Sequence, residues 1–213
     1  AVFEDIYPDA VKVGMAASGD LIRVIADRLS FYRAKNVVVD PVMVATSGSA
    51  LLKRDAVQIL MDELLPVAAI VTPNIPEAGV LCGRNIETRK DMAAAAQEIG
   101  KSCHCAVLIK GGHRISDADD LLYANGELIW FPGRRIDNPN THGTGCTLSS
   151  AIASNLAKGF PLVQAVQMAK DYLSGALAAG LDLGKGSGPI LHHFAFGALF
   201  DEEKNQFERK QGL

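Results

Sequence analysis

Five residues that could contact a ligand stand at or shortly after the ends of short apolar runs. They are Met15, Asp40, Asn74, Glu77 and Lys110. Carboxylates such as Asp40 and Glu77 can hold a divalent cation, and a lysine such as Lys110 can neutralise a phosphate. Simpler interpretations exist, since Asp40 before Pro41 could be a turn residue and Lys110 a solvated strand end. Their recurrence after the apolar runs favours one shared site.

A glycine-rich turn at 140–146 leads directly into an apolar helical stretch. Glycines such as Gly143 and Gly145 let the backbone approach a ligand, and the first amides of a helix bind anions at the positive end of its dipole. Cys146, in the first turn and near His142, is expected to carry a reactive thiol. The alternatives are a tight connection before a helix and a small buried apolar residue at position 146.

Short β-branched runs alternate with amphipathic helical stretches along the chain. This pattern is typical of βαβ units around a mostly parallel sheet covered by helices on both faces, so the predicted fold class is α/β. Strands are predicted at 11–14, 37–39, 68–71 and 106–109, the first of which looks like a central buried strand. In such sheets ligands bind beyond the carboxyl ends of the strands, where the residues named above would meet.

Start and stop signals delimit the helices and one hairpin. A helix opened by Ser18 is expected to bury a stripe made of Leu21, Val24, Ile25 and Leu29. Further helices are predicted near 54–64, from the capping-box residues Thr88 and Asp91 to about Gly100, over 145–158, and from Pro161 to about Gly180. Asn125 and Gly126 favour the type I′ turn of an antiparallel β-hairpin near 121–131.

The composition fits one globular domain over 1–213. The chain has 213 residues, of which 48% are apolar and 21% charged, and a net charge of -3. No basic run is dense enough for a nucleic-acid footprint, and the apolar stretches are too short to span a bilayer. The 4 cysteines match neither a disulfide framework nor a zinc-type pair, so we expect reduced thiols. The expectation is a cytoplasmic protein with no nucleic-acid or membrane partner.

Six segments occur in the order that one known family shows. They are VGM at 13–15, VDPVM at 39–43, TPNIPEA at 72–78, KGGH at 110–113, THGTGCT at 141–147 and GKGSGP at 184–189, the last followed by His192, His193 and Phe194. With these segments the chain resembles the ribokinase-like superfamily and, within it, the hydroxymethylpyrimidine/phosphomethylpyrimidine kinases of thiamine biosynthesis. Cys146 favours this branch, because most other relatives carry Asp at that position, although some dual-activity pyridoxal kinases share the cysteine.

The resemblance implies a three-layer α/β/α kinase that uses Mg-ATP. Its substrate would be a hydroxymethylpyrimidine, phosphorylated first on the hydroxymethyl group and then on the resulting monophosphate. By the same resemblance, Asp40 and Glu77 would hold Mg²⁺, Asn74 would orient them, and Lys110 would lie along the ATP phosphates.

Around the acceptor, the resemblance implies that Gly143, Thr144, Gly145 and Cys146 offer backbone amides to the transferring phosphoryl group. Cys146 would take the proton of the substrate hydroxyl, and Met15 and Val42 would pack on the pyrimidine ring. The family also implies a homodimer. The apolar surface of Trp130 and Phe131, expected on one face of the hairpin, could form part of its contact.

Relatives normally begin several dozen residues earlier, with a glycine-rich segment and a glutamine that contact the pyrimidine, so the chain is expected to lack the usual N-terminal segment. Three alternatives stay open. The first is a pyridoxal kinase of the same fold. The second is an acyl transferase or hydrolase with Cys146 as nucleophile and the helix N-terminus as oxyanion hole. The third is a nucleotide-binding module without catalysis.

Overall fold

The computed structural model describes residues 1–43, 51–112, 118–133, 136, 138, 141–181, 183 and 188–196. The predictions that concern His113, Asn140 and residues 184–187 fall outside these ranges. None of the helices in the described ranges is both long enough and apolar enough to cross a membrane.

The predicted helices and strands are present. The helices are α1 (Val2–Asp5), α2 (Gly19–Phe31), α3 (Arg54–Ile59), α4 (Ile75–Cys82), α5 (Arg89–Cys103), α6 (Thr144–Ala157) and α7 (Leu162–Ala178). The strands are β1 (Val11–Val13), β2 (Val37–Val39), β3 (Ile70–Val71), β4 (Ala106–Ile109), β5 (Asp120–Ala124) and β6 (Glu127–Phe131). Helix α3 continues through a π-helical turn, Leu60–Leu64, and a 3₁₀ turn, Leu65–Val67. Neither α1 nor α4 was predicted from the sequence.

The strands form one sheet in the order β1-β2-β3-β4-β5-β6. The first four strands are parallel, and β5 and β6 continue the sheet as an antiparallel hairpin. The mostly parallel sheet is therefore confirmed. The expectation of a central position for the first strand is wrong for the described sheet: β1 lies at its edge, and Val11 and Lys12 are only partly buried.

Alternate strand residues enter two separate hydrophobic clusters, because successive side chains of a strand point to opposite faces. Val37 and Val39 pack on one face with α2 to α5, whereas Val38 packs on the other face with α6 and α7. The sheet therefore has helices on both faces, and the predicted three-layer α/β/α architecture is confirmed.

Helix α2 begins as predicted, but only two of the four residues of the predicted stripe pack against the core. The Ser18 hydroxyl oxygen accepts a hydrogen bond from the Leu21 amide at 3.3 Å. Of the predicted stripe, Leu29 is buried and Ile25 packs against the core, but Leu21 and Val24 are exposed. Ile22 and Ala26 are buried in addition. The reason is the close approach of α2 to α3, because a Cβ atom on Gly19 would lie 2.5 Å from Ile59 Cδ1. This approach turns the face with the small residues inward.

The hairpin turn forms as predicted, with Asn125 and Gly126 at positive φ angles of 52° and 86°. The expectation that Trp130 and Phe131 share one face is wrong, since neighbouring strand residues point to opposite sides. Phe131 is buried in the cluster under α6 and α7, and Trp130 packs against the other cluster. The Arg89 guanidinium lies over the Trp130 ring, 3.9 Å from its centroid.

Candidate active site

The carboxyl ends of the parallel strands bring the candidate residues together. The Asp40 amide donates to Val13 O, and the Lys110 amide donates to Pro73 O, both at 2.9 Å. Asn74 also pairs with Lys110 as an isolated parallel bridge. The backbone pairing thus continues one residue or more past the strands, and it places Asp40, Asn74 and Lys110 along one edge of the sheet.

Asp40 is the centre of a buried polar network and is only 2% exposed. Its Oδ1 atom accepts hydrogen bonds from Lys110 Nζ at 2.8 Å and from Thr72 Oγ1 at 3.3 Å. Its Oδ2 atom lies 3.4 Å from Ser149 Oγ on α6. The Asp40 carboxylate is therefore held by the Lys110 cation and the Thr72 hydroxyl. The Ser149 hydroxyl lies beside it but is closer to Gly145 O, at 3.0 Å, and to Cys146 O, at 3.1 Å.

Thr72 and Ser149 were not identified from the sequence, although both are fully buried. A signal was present for each. Thr72 directly follows the last residue of β3, and Ser149 lies four residues after Gly145, on the same side of the helix. The Ser149 hydroxyl also finds acceptors within α6, in Gly145 O and Cys146 O, as buried serines in helices commonly do.

The first turn of α6 lies against the Lys110–Asp40 ion pair. A Cβ atom on Gly145 would be 3.3 Å from Lys110 Nζ and 3.7 Å from Asp40 Oδ2. The helix is preceded by Gly143 at φ 82°, and the Thr144 amide donates a long bond, 3.4 Å, to Thr141 O. The amides of the first helical turn have no partner within their own helix. This turn therefore presents the positive end of α6 beside the Lys110 ammonium group.

Asn74 and Glu77 form a capping box at the start of α4. Asn74 Oδ1 accepts from the Glu77 amide, and Glu77 Oε2 accepts from the Asn74 amide, both at 2.8 Å. Asn74 therefore holds the Glu77 carboxylate through its backbone, while its side chain caps the helix. The pattern Asn-x-x-Glu was the signal from which α4 could have been predicted.

Glu77 is buried next to other charges, and burial raises the pKa of its carboxyl above the ordinary value of 4.5. The nearby Asp40 carboxylate raises this pKa further, whereas Lys110 and the Asn74 amide lower it. A second cation at this position would stabilise the charged form of Glu77.

The carboxylate oxygens of Asp40 and Glu77 are ligands of the kind that Mg²⁺ prefers. The ion usually keeps several waters and also binds phosphate oxygens. No group of three or more His, Cys, Asp or Glu side chains that could hold a metal occurs among the residues that the structure describes. Asp40 and Glu77 are the carboxylates at this site that could supply such oxygens.

The remaining candidates surround this centre at the surface. Met15 follows β1 and is 62% exposed, and Val42 follows β2 and is partly buried. Because β1 and β2 pair directly, these two residues lie at the same end of the sheet. Cys146 is exposed in the first turn of α6. Its position leaves the thiol accessible to a small molecule.

A groove of about 560 Å³ runs between α6 and α7, with Cys146 at the N-terminal end of α6. Its lining residues are Cys146, Thr147, Ser150, Ala151, Ser154, Asn155, Lys158, Met168, Tyr172 and His192. Hydroxyl groups line it along α6, and an apolar and an aromatic side chain line it on α7. The groove can therefore accept a flat, partly polar molecule next to the first turn of α6.

Comparison with known proteins agrees with this geometry. Residues 1–191 match the family described as phosphomethylpyrimidine kinase. A hydroxymethylpyrimidine/phosphomethylpyrimidine kinase of Rhizobium meliloti (strain 1021) is 50% identical over 198 residues, which cover 91% of this chain and 74% of that protein.

Solved structures show the same relationship. The ADP complex of Bacillus subtilis pyridoxal kinase has a TM-score of 0.82 at 35% identity and covers 88% of this chain and 72% of that one. The phosphomethylpyrimidine kinase of Clostridium difficile 630 has a TM-score of 0.72 at 42% identity and covers 81% of this chain and 71% of that one. This chain belongs to the phosphomethylpyrimidine kinase family.

Proposed function

We propose that this chain transfers the γ-phosphoryl group of ATP to 4-amino-5-hydroxymethyl-2-methylpyrimidine and then to its monophosphate, as a step in thiamine diphosphate biosynthesis. The observation that carries the proposal is the Lys110–Asp40 ion pair, 2.8 Å long, beneath the glycine-rich first turn of α6. The names of relatives that are 44–50% identical to this chain support the choice of acceptor.

Phosphoryl transfer requires alignment and charge neutralisation more than covalent help from the protein. Lys110 and the amides of Gly143, Thr144, Gly145 and Cys146 surround the place where negative charge would develop. Loss of one such donor typically costs about 2.7–4 kcal/mol of transition-state stabilisation. The Thr144 amide, which already donates to Thr141 O, would have to exchange that long bond for a phosphate oxygen.

Cys146 is our candidate for the base that accepts the proton of the acceptor hydroxyl. Its exposed position in the first turn of α6 places the thiol beside the amides that would hold the phosphoryl group. A positioned base contributes about 10²–10⁴-fold to the rate of such a step.

Asp40 and Glu77 are proposed to hold Mg²⁺, directly or through water, and Asn74 supports Glu77 through its amide. When bound, the ion would neutralise charge on the ATP phosphates. Glu77 is buried and its pKa is raised, so its carboxylate gains from a neighbouring cation. Asp40 keeps Lys110 in place at the same time.

The pyrimidine acceptor and the nucleoside of ATP are assigned to different sides of α6. Met15 and Val42, beyond β1 and β2, are proposed to contact the pyrimidine ring. The nucleoside of ATP is assigned to the groove between α6 and α7. Met168 and Tyr172 can pack against its flat ring, and the hydroxyl groups of the groove can bind its ribose. The phosphates would then cross the first turn of α6.

A homodimer in the cytoplasm is proposed as the working form of the chain. The exposed apolar side chains of Leu21, Val24 and Phe31 on α2 support a contact with a second copy. The free thiols of Cys82, Cys103, Cys105 and Cys146 fit a reducing compartment, where ATP is also available.

The test is Mg-ATP turnover with hydroxymethylpyrimidine, its monophosphate and pyridoxal assayed side by side, with the Lys110→Met variant as the negative control. Turnover of the first two supports the proposal. Turnover of pyridoxal alone would change the acceptor, an outcome for which the TM-score of 0.82 to a pyridoxal kinase gives a reason.

Two other outcomes point to different classes of protein. No turnover, with ATP still raising the melting temperature, would indicate a nucleotide-binding chain without catalysis. A covalent acyl group on Cys146, detected by mass spectrometry, would indicate an acyl transferase or hydrolase.

A further inference from the structure

A second buried ion pair lies on the sheet next to the site. Lys170 on α7 is 8% exposed and Asp120 at the start of β5 is 7% exposed, and Lys170 Nζ forms a salt bridge with Asp120 Oδ2. Neither residue belongs to the six segments that carry the family resemblance. Burying two charges is costly, and a buried ion pair is weak evidence for a gain in stability. The contacts of the pair indicate a role other than stability.

The pair holds the backbone directly after Lys110. Asp120 Oδ1 accepts a hydrogen bond from the Gly111 amide at 2.8 Å, and Lys170 Nζ also donates to Ala118 O at 3.0 Å. Helix α7, the start of β5 and the residue that follows Lys110 are thus joined through one carboxylate and one ammonium group.

The backbone around the pair is packed too closely to accept side chains. A Cβ atom on Gly111 would lie 1.8 Å from Asp119 O, and one on Gly133 would lie 2.2 Å from Ala118 O and 2.9 Å from Lys170 Nζ. Asp119 Oδ1 also accepts from the Gly133 amide at 2.9 Å. The first contact limits where the Gly111 peptide can lie, and the Gly133 contacts pack residues 118 and 119 against Lys170.

Both peptide groups that flank Lys110 are therefore fixed by hydrogen bonds. The Lys110 amide donates to Pro73 O at 2.9 Å, and the Gly111 amide donates to Asp120 Oδ1. Two fixed peptide planes determine φ and ψ of the residue between them, and hence the direction of its Cα–Cβ bond. The Lys110 side chain is thereby directed toward Asp40.

On the basis of the function proposed above, we propose that the Lys170–Asp120 ion pair is a positioning device for the ATP-binding lysine, Lys110. In the described part of the chain, neither Asp120 nor Lys170 forms a hydrogen bond with the Lys110 side chain. Asp120 acts through the Gly111 amide that it accepts from, and Lys170 acts by holding Asp120. The pair is expected to set the affinity for Mg-ATP and to leave the acceptor site unaffected.

The test compares two double variants in the 213-residue chain. Asp120→Ala with Lys170→Met removes the pair without leaving one charge buried alone, and it also removes the acceptor for the Gly111 amide. Asp120→Asn with Lys170→Met keeps an acceptor oxygen. Met92→Ala, a truncation in the core under α5, is the control for a general loss of stability.

The first double variant should raise KM for Mg-ATP about tenfold, since misplacement of a binding group by about 1 Å can cost up to about 10²-fold. KM for the pyrimidine should stay within about twofold. Hydrogen exchange of the Gly111 amide should accelerate. The Asn-containing variant keeps the acceptor for the Gly111 amide but not the ion pair, so it should recover only part of both properties. Met92→Ala should leave both KM values unchanged.

An unchanged KM for Mg-ATP in the first double variant, or an equal rise in Met92→Ala, would overturn the positioning role. Slow exchange of the Gly111 amide in that variant would overturn it as well. A wild-type chain without turnover would instead count against the proposed function. In that case the positioning role is decided by the affinity for Mg-AMP-PCP in a thermal-shift titration: a tenfold loss in the first double variant supports it, and no loss overturns it.

Discussion

Gly145 occupies a place where any side chain would enter the space beside Lys110 and Asp40. A Cβ atom there would already be 3.3 Å from Lys110 Nζ, and a β-branched side chain would extend further. We expect Gly145→Val to lower turnover by about 10²-fold or more, because the phosphoryl group and Lys110 could no longer approach each other. Steady-state kinetics measures the effect.

The matched control for Gly145→Val is Ala157→Val, which places the same side chain in the last turn of the same helix, where it is exposed. Ala157→Val should retain wild-type kinetics. Wild-type kinetics for Gly145→Val would show that the first turn of α6 does not hold the phosphoryl group.

Cys146 can be tested separately from the binding of ATP. We expect Cys146→Ala to lower turnover by about 10²–10⁴-fold, which is the contribution of a positioned base. The shift of the melting temperature with Mg-ATP should persist, because the backbone amides of the turn remain. Unchanged turnover would remove Cys146 from the mechanism and leave it as an exposed thiol beside the groove.

Glu77 should make stability depend on pH with a definite sign. Burial raises the pKa of Glu77 in the folded chain, so the unfolded chain loses its proton first as the pH rises from 4.5. Between pH 4.5 and the raised pKa, Glu77 therefore lowers the free energy of unfolding more and more as the pH rises. At higher pH this destabilisation stays constant. Glu77→Gln keeps an acceptor for the Asn74 amide and should gain stability relative to the wild type across this window.

Urea unfolding between pH 3 and pH 8 measures this difference for Glu77→Gln. Asp91→Asn is the control of opposite sign, because hydrogen bonds from Thr88 lower the pKa of Asp91 below its ordinary value of 3.8. Its carboxylate contributes stability above pH 3.8 that is lost as the pH falls, so the Asn variant should be the less stable one at neutral pH. A pH-independent difference for Glu77→Gln would contradict the buried, protonation-sensitive carboxylate.

Two capping boxes of the same design stand at the starts of α4 and α5, and only one of them lies at the site. Asn74 and Glu77 form the first, and Thr88 and Asp91 form the second. We expect Asn74→Ala and Thr88→Ala to lose similar stability, about 0.5–2 kcal/mol, by denaturant unfolding. Only Asn74→Ala should also lower turnover, because the start of α4 carries the Glu77 carboxylate.

Wild-type turnover in Asn74→Ala would mean that Glu77 does not depend on its helix start for its role. A loss of turnover in Thr88→Ala as well would indicate that α5 reaches the site indirectly, through its packing against β4 and β5.

Local signals predicted most elements, and packing explains the exceptions. The turn at Asn125 and Gly126 and the cap at Ser18 depend on residues within three positions of each other, so the sequence reading found them. The buried face of α2 depends on its approach to α3 at Gly19, a contact between distant segments. That contact is invisible in the periodicity of α2 itself, and the stripe with Leu21 and Val24 was wrong for this reason.

For the whole molecule, we expect a sedimentation mass of about twice 22.6 kDa if two copies associate through α2. Val24→Glu, at a 58% exposed position on α2, should shift the chain to a single copy because a charge in an apolar contact is unfavourable. Val163→Glu, on α7 and 41% exposed, is the matched control and should not change the mass. A single-copy mass for the unmodified chain would contradict the homodimer.

By itself the sequence determined the class of fold, the order of most helices and strands, and the identity of Asp40, Glu77, Lys110 and the glycine turn as candidates. These follow from periodicity, from caps and turns that act over a few residues, and from segments that could be compared with a family. The tertiary structure decided which groups meet. Thr72 and Ser149 reach Asp40 across 32 and 109 residues of chain, and Lys170 reaches Asp120 across 50. Such contacts depend on how the layers pack, which no local pattern encodes.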